Sequence, residues 1–145
     1  MLARLAKEYT YERGKPFSNS EFGNFVRRDI AIEAKKRIVF LPYELAVKAS
    51  VGQGLWAAIP WLAYFDPLIT TSATSGFYVV FLINPQTESI VLSMNQGTTA
   101  IYHEFGEMRG QSVLRRRAID MRERVASFAI NFDVDDIDLG SDASL

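Results

Sequence analysis

The chain has no cysteine and one histidine, His103. The first absence excludes disulfides and thiolate metal sites. The second leaves zinc without the several imidazole or thiolate ligands it usually takes. No apolar run is long enough to cross a bilayer, and the N-terminal stretch MLARLAKEYTYERGK lacks a continuous apolar segment. A cytoplasmic protein without a membrane partner is expected. Phosphate loops are missing too. Gly14-Lys15 stands without the upstream glycine of a nucleotide-binding loop. Gly52-Gln53-Gly54 lacks the third glycine of a dinucleotide loop and precedes an expected strand, not a helix. Asp133, Asp135, Asp136 and Asp138 resemble a calcium loop only in charge, since no glycine falls at the turn position and no glutamate closes the run. A triad would need His103, which lies among Tyr102, Glu104 and Phe105 in an expected helix and reads as a surface or partly packed histidine. No catalytic set emerges, so the chain reads as a non-enzyme without metal or cofactor.

What is present suits one globular domain. The 145 residues are 48% hydrophobic and 23% charged, which is enough apolar material for a single core. The net charge of −1 conceals an asymmetry. Residues 132–145 hold five acids and no base, leaving 1–131 with 16 bases against 12 acids, a net +4. The boundaries expected are therefore a domain over 1–131 and an acidic, disordered tail or linker over 132–145. A mildly basic body permits a nucleic-acid partner without requiring one.

Hydrophobic periodicity places helices at both ends. Ser18-Asn19-Ser20-Glu21 fits a capping box with Ser18 at the cap, and Phe22, Phe25, Val26, Ile30 and Ala34 follow at helical spacing. Near the C-terminus, Thr98 or Thr99 caps a helix toward Met108, Arg109-Gly110 interrupts it, and Val113 to Phe128 continues. The middle reads as sheet. Tyr43 to Ser50 alternates, Gly76 to Ile83 is a continuous run of strand formers for the sheet centre, and Ser89 to Met94 returns after the turn Asn84-Pro85-Gln86-Thr87. The expected class is α+β, a mostly antiparallel central sheet flanked by N- and C-terminal helices.

Ser50 to Pro67, SVGQGLWAAIPWLAYFDP, carries both tryptophans, Trp56 and Trp61. Two readings compete. In one, Ile59 to Phe65 is a buried strand and Gly52 and Gly54 merely allow a sharp turn. In the other, a glycine-flanked loop brings backbone close to a ligand and a tryptophan offers a flat face. Pro60 cannot donate to a ladder, which predicts an edge strand or a break there, beside a cleft. Thr70-Thr71-Ser72 adds hydroxyls suited either to phosphate oxygens or to an ordinary turn.

Four fragments in order, Lys48-Ala-Ser50-Val-Gly-Gln-Gly54, Ile59-Pro-Trp61-Leu-Ala-Tyr-Phe65, Gly76-Phe-Tyr-Val-Val-Phe-Leu82 and Leu92-Ser-Met-Asn-Gln-Gly97, resemble the N-terminal domain of McrB-type modification-dependent restriction enzymes. The resemblance spans about Tyr43 to Gly97. It implies a module that binds double-stranded DNA, flips a modified cytosine, typically one following a purine, into a pocket, and leaves cutting to a nuclease or motor domain in the same chain or a partner subunit. It implies a pocket of Gln53, Trp61 and Leu82. A DNA-contacting loop of Lys48, Ser50, Val51, Gly52, Gly54, Leu55 and Trp56 accompanies it, with phosphate contacts at Thr70, Thr71 and Ser72. Gln53 departs from a tyrosine found in a reader of this family. An amide hydrogen-bonds where an aromatic would stack, and it pairs well with adenine N6 and N7, so another modified base stays open beside methylated cytosine. A second class, a protein-interaction or small-ligand sensor in antiviral defence using the same cleft without DNA, is the alternative.

Overall fold

Two N-terminal helical stretches lie on one face of a four-stranded sheet, and a helical hairpin follows the last strand. The computed structural model describes residues 1–133 and 137–140. Helix α1 (Leu2–Arg13) buries Leu5, Ala6 and Tyr9, a helical stripe. The next helical stretch has three parts: α2 (Glu21–Asn24), a π-helical segment (Phe25–Ile30) and α3 (Ala31–Arg37). Its buried apolar side chains, Phe22, Val26, Ile30 and Ala34, recur every fourth position. In an uninterrupted α-helix that spacing drifts by about 40° per step, because a turn takes about 3.6 residues. The wider π turn offsets the drift and keeps the four on one face. The cap is Ser20, not the expected Ser18: its hydroxyl accepts from the Gly23 amide at 3.0 Å, after Asn19 turns the chain at φ 58°.

Strands β1 (Ala46–Ser50), β2 (Trp61–Phe65), β3 (Phe77–Asn84) and β4 (Ser89–Gln96) form an antiparallel meander in the order β1-β2-β3-β4. The fold is α+β with helices at both ends. The expected central position of β3 holds. Of the edge or break expected at Pro60, the edge does not hold, because β2 pairs with both β1 and β3, whereas the ladder does begin only after Pro60, at Trp61. Pro60 sits just before the ladder, so its missing N–H breaks no rung, and its carbonyl accepts from the Ile83 amide at 3.0 Å.

Alternation along the strands divides the core in two. On one face Leu62 and Ile83 join Leu5, Tyr9, Val26 and Ile30, with Val47, Ala49, Tyr64 and Phe81 around them. On the other, Ala63, Phe65, Val80 and Leu82 pack with Ile59 and with Leu139 from the C-terminal segment. Helices α4 (Thr99–Phe105) and α5 (Glu107–Val125) meet at Gly106, where φ 72° and ψ 176° end the first helix. The interruption expected at Gly110 is absent. That residue continues α5 and is buried against Tyr102, whose ring carbon Cδ1 lies 2.6 Å from where a Cβ would stand. Gln96 at the end of β4 donates to the Leu114 carbonyl at 2.7 Å and ties the hairpin to the sheet.

Candidate functional site

The loop between β1 and β2 has a fixed neck and a free tip. The Ser50 hydroxyl accepts from the Gly52 amide at 3.1 Å, and the Ala57 amide donates to the Val51 carbonyl at 2.7 Å, closing the neck. Gly52 holds φ 111°, and a Cβ there would strike the Leu55 carbonyl and come within 2.6 Å of the Ala57 nitrogen. Only glycine suits that position. Below the neck Val51 is fully buried, and the Tyr9 hydroxyl donates to the Ala57 carbonyl at 2.7 Å. Burial pushes the Tyr9 phenol up to about 12, against a smaller opposing pull from Arg13. Trp56 packs edge-on against Tyr9 and Phe17, with ring centres 5.9 and 5.2 Å apart, and its indole N–H donates to the Lys15 carbonyl at 2.8 Å. Of the seven residues assigned to the loop from sequence, Val51 and Trp56 thus serve the neck. Gln53, Gly54 and Leu55 form the exposed tip.

From this neck a row of side chains crosses the sheet. Ser50 pairs with Trp61, Trp61 with Leu82, and Leu82 with Val91. Cross-strand partners share a face, so Trp61 and Leu82 stand side by side on the face away from α1. The loop tip leaves the sheet from the position opposite Trp61. The three pocket residues inferred from sequence thus come from adjoining places, though unequally open: Gln53 is exposed, Trp61 half-buried, and Leu82 only 3% exposed.

Lys48 lies two residues before Ser50 on that face. Its ammonium donates to the Thr71 carbonyl at 2.6 Å and lies 5.6 Å from the Phe65 ring centre. The hydroxyl-rich loop is therefore drawn to Lys48 across 23 residues of sequence. Within it Thr70 is buried, its hydroxyl donating to the Ser72 carbonyl and accepting from the Ser72 amide, both at 3.1 Å. Thr71 is exposed, and the Ser72 hydroxyl pairs with Thr74 at 2.7 Å. Thr70 shapes the loop, while Thr71, Ser72 and the unanticipated Thr74 make its outer surface.

One residue at this place was not foreseen from sequence: Leu139, which joins Ile59, at the loop's far end, in one buried cluster. The apolar members of Ile137-Asp138-Leu139, alternating with acid, were the available signal. Leu139 is 5% exposed. An open apolar groove of about 530 Å³ lies on the opposite sheet face, between Tyr43, Tyr64, Phe77, Leu92, Met94 and Met121. It has neither the glycine loop nor the lysine, so the candidate site is placed at Trp61. His103 is exposed on α4. Among the described residues no three His, Cys, Asp or Glu side chains cluster for a metal, and no helix is long and apolar enough to cross a membrane.

No curated protein matches this chain. A family model does, over residues 4–145, which takes in the sheet, both helical flanks and the C-terminal segment. The chain belongs to the family of MrcB-like N-terminal domains.

Proposed function

We propose that this domain reads a modified base in double-stranded DNA, most simply a methylated cytosine, and directs a nuclease to foreign DNA. Membership of the MrcB-like N-terminal family fits a DNA-binding role in restriction and a reader that performs no catalysis itself. The observation that carries the finer reading is the row Ser50–Trp61–Leu82, with the glycine loop rising from its Ser50 end. A flat aromatic, an aliphatic neighbour and an adaptable amide at the loop tip suit one extruded base.

In this mechanism the tip, Gln53 to Leu55, enters a groove and helps evict one nucleotide. Unstacking costs a few kcal/mol, and stacking on Trp61 returns about 1–3 kcal/mol, so edge hydrogen bonds from Gln53 supply the remainder. Lys48 has one of its three donors on Thr71 and keeps two for phosphate oxygens. A buried methyl group contributes about 0.8 kcal/mol, roughly fourfold in affinity. Discrimination by one domain is therefore modest, and assembly with a motor or nuclease domain sharpens it.

The test is binding by fluorescence anisotropy to matched duplexes: unmodified, and carrying 5-methylcytosine, 4-methylcytosine, 5-hydroxymethylcytosine or N6-methyladenine, each at two salt concentrations. Tighter binding to one modified duplex is expected. Equal, steeply salt-dependent binding to all would reduce the domain to a nonspecific DNA module. No binding would transfer the function to the sensor reading, for which the apolar groove on the opposite face is the feature in favour.

A further inference from the structure

Leu82, an inferred wall of the base pocket, is 3% exposed, so as the chain stands a base cannot reach it. It belongs to a buried cluster whose members come from two sources. One is sheet and loop: Ile59, Ala63 and Val80, with Trp61 packed alongside, all belonging to the paired strands or to the loop leading into them. The other is Leu139, which arrives from the far end of the chain, after the last helix. The two are held very differently. The loop neck is closed by a 2.7 Å backbone bond and anchored by Tyr9 and Trp56. Among the described residues, the strap 137–140 is tied to the sheet by a long hydrogen bond of 3.4 Å, from the Asn84 amide to the Asp138 carbonyl. The Asp138 carboxylate turns inward on its own segment, accepting from the Gly140 amide at 2.9 Å, which lets the strap bend beside Gln86.

We infer that the seat of Leu139 is the place the extruded base takes, and that the strap 137–140 occupies it in the DNA-free protein and leaves when modified DNA binds. This rests on the reading proposed above and adds where the base goes and what holds its place. The chemistry is consistent on both sides of the exchange. An apolar side chain keeps an apolar slot dry until a flat, partly apolar base replaces it. The segment carrying it is acidic, with no base from Phe132 to Leu145, so it is compatible with the mildly basic body and incompatible with an adjoining phosphate backbone. Binding then carries a built-in threshold, because apparent affinity is lowered by the fraction of molecules whose seat is occupied. A correctly modified base, which fills the slot best, overcomes it most readily.

Two measurements on the full chain test this. Hydrogen–deuterium exchange, without DNA and with a saturating 5-methylcytosine duplex, reads the peptide containing Leu139 and Gly140. Its protection is expected to fall on binding, while that of β2 rises. Unchanged or greater protection at Leu139, with the duplex demonstrably bound, overturns the inference and makes Leu139 a fixed part of the fold. In parallel, Leu139→Ala, checked for folding by circular dichroism, is expected to bind the duplex several-fold more tightly and to show greater acrylamide quenching of tryptophan, as Trp61 is uncovered. Weaker or equal binding with unchanged quenching overturns it as well. If neither protein binds any duplex, the proposed function itself falls and this inference with it, an outcome that differs from DNA bound with the strap in place.

Discussion

Trp56 and Trp61 are close in sequence and have different surroundings, which only their partners reveal. The Trp56 N–H is engaged by Lys15 and its ring lies against Tyr9 and Phe17, so it is a structural anchor. Trp61 stands half-buried beside Leu82. Trp61→Ala is expected to abolish the preference for modified over unmodified duplex, with a loss of about 1–3 kcal/mol on the modified one, and to retain part of the nonspecific binding. The variant also loses core packing, so the ratio of the two affinities is the decisive quantity, read alongside a melting curve. A folded variant with an undiminished ratio would mean the pocket is elsewhere. Lys48 is proposed for the other kind of contact, to phosphate. Lys48→Ala is expected to weaken all duplexes about equally and to lower the slope of log affinity against log salt by about 1. A loss confined to modified DNA would contradict a phosphate role. Residue identities were legible in the sequence at both positions. That Lys48 reaches Thr71, and that Trp56 points into the helices, was not, because each partner is remote along the chain.

At the scale of elements, local chemistry predicted type better than boundary. The strand formers of β3 and the periodic apolar residues of α5 announce themselves, since period and propensity are local properties. Caps and breaks compete among neighbours. Ser18 and Ser20 both suit a cap, and the left-handed turn at Asn19 selects Ser20. Gly106 and Gly110 both suit a break, and close packing of Tyr102 reserves Gly110 for the helix interior. The β1–β2 loop offers a direct contrast of the same sort. Gly52→Ala meets strain at φ 111° and collides with the backbone of Leu55 and Ala57, whereas Gly54→Ala at φ 73° meets nothing within 4 Å. The expected cost at Gly54 is about 1–2 kcal/mol and that at Gly52 clearly larger, both measured by urea unfolding. Equal costs would show that the neck relaxes around Gly52 and that the loop is not held as described.

At the scale of the molecule, α1, the loop neck and the sheet share one core, and Tyr9 links them. Burial raises its phenol from 10.0 to about 12 and raises that of Tyr64 as well, which Arg37 partly offsets. Between those limits the folded protein keeps a proton that the unfolded chain has lost. Stability from this source is therefore complete below pH 10 and declines as pH rises toward about 12. Urea midpoints across that interval are expected to fall less steeply in Tyr9→Phe than in the unaltered protein, and an identical slope would remove Tyr9 from the account. The variant should also lose about 0.5–1.5 kcal/mol at neutral pH with the hydrogen bond to Ala57. The sequence alone determined the class of fold, the central place of β3 and the family resemblance. Those follow from composition, period and short ordered fragments, which are carried by neighbours along the chain. Only the tertiary structure decided which tryptophan anchors the loop neck, that Lys48 draws in the hydroxyl loop, and that Leu139 of the acidic segment joins the core on one face of the sheet. Those depend on packing between residues far apart in sequence, where burial and hydrogen-bond satisfaction, not local pattern, select the partner.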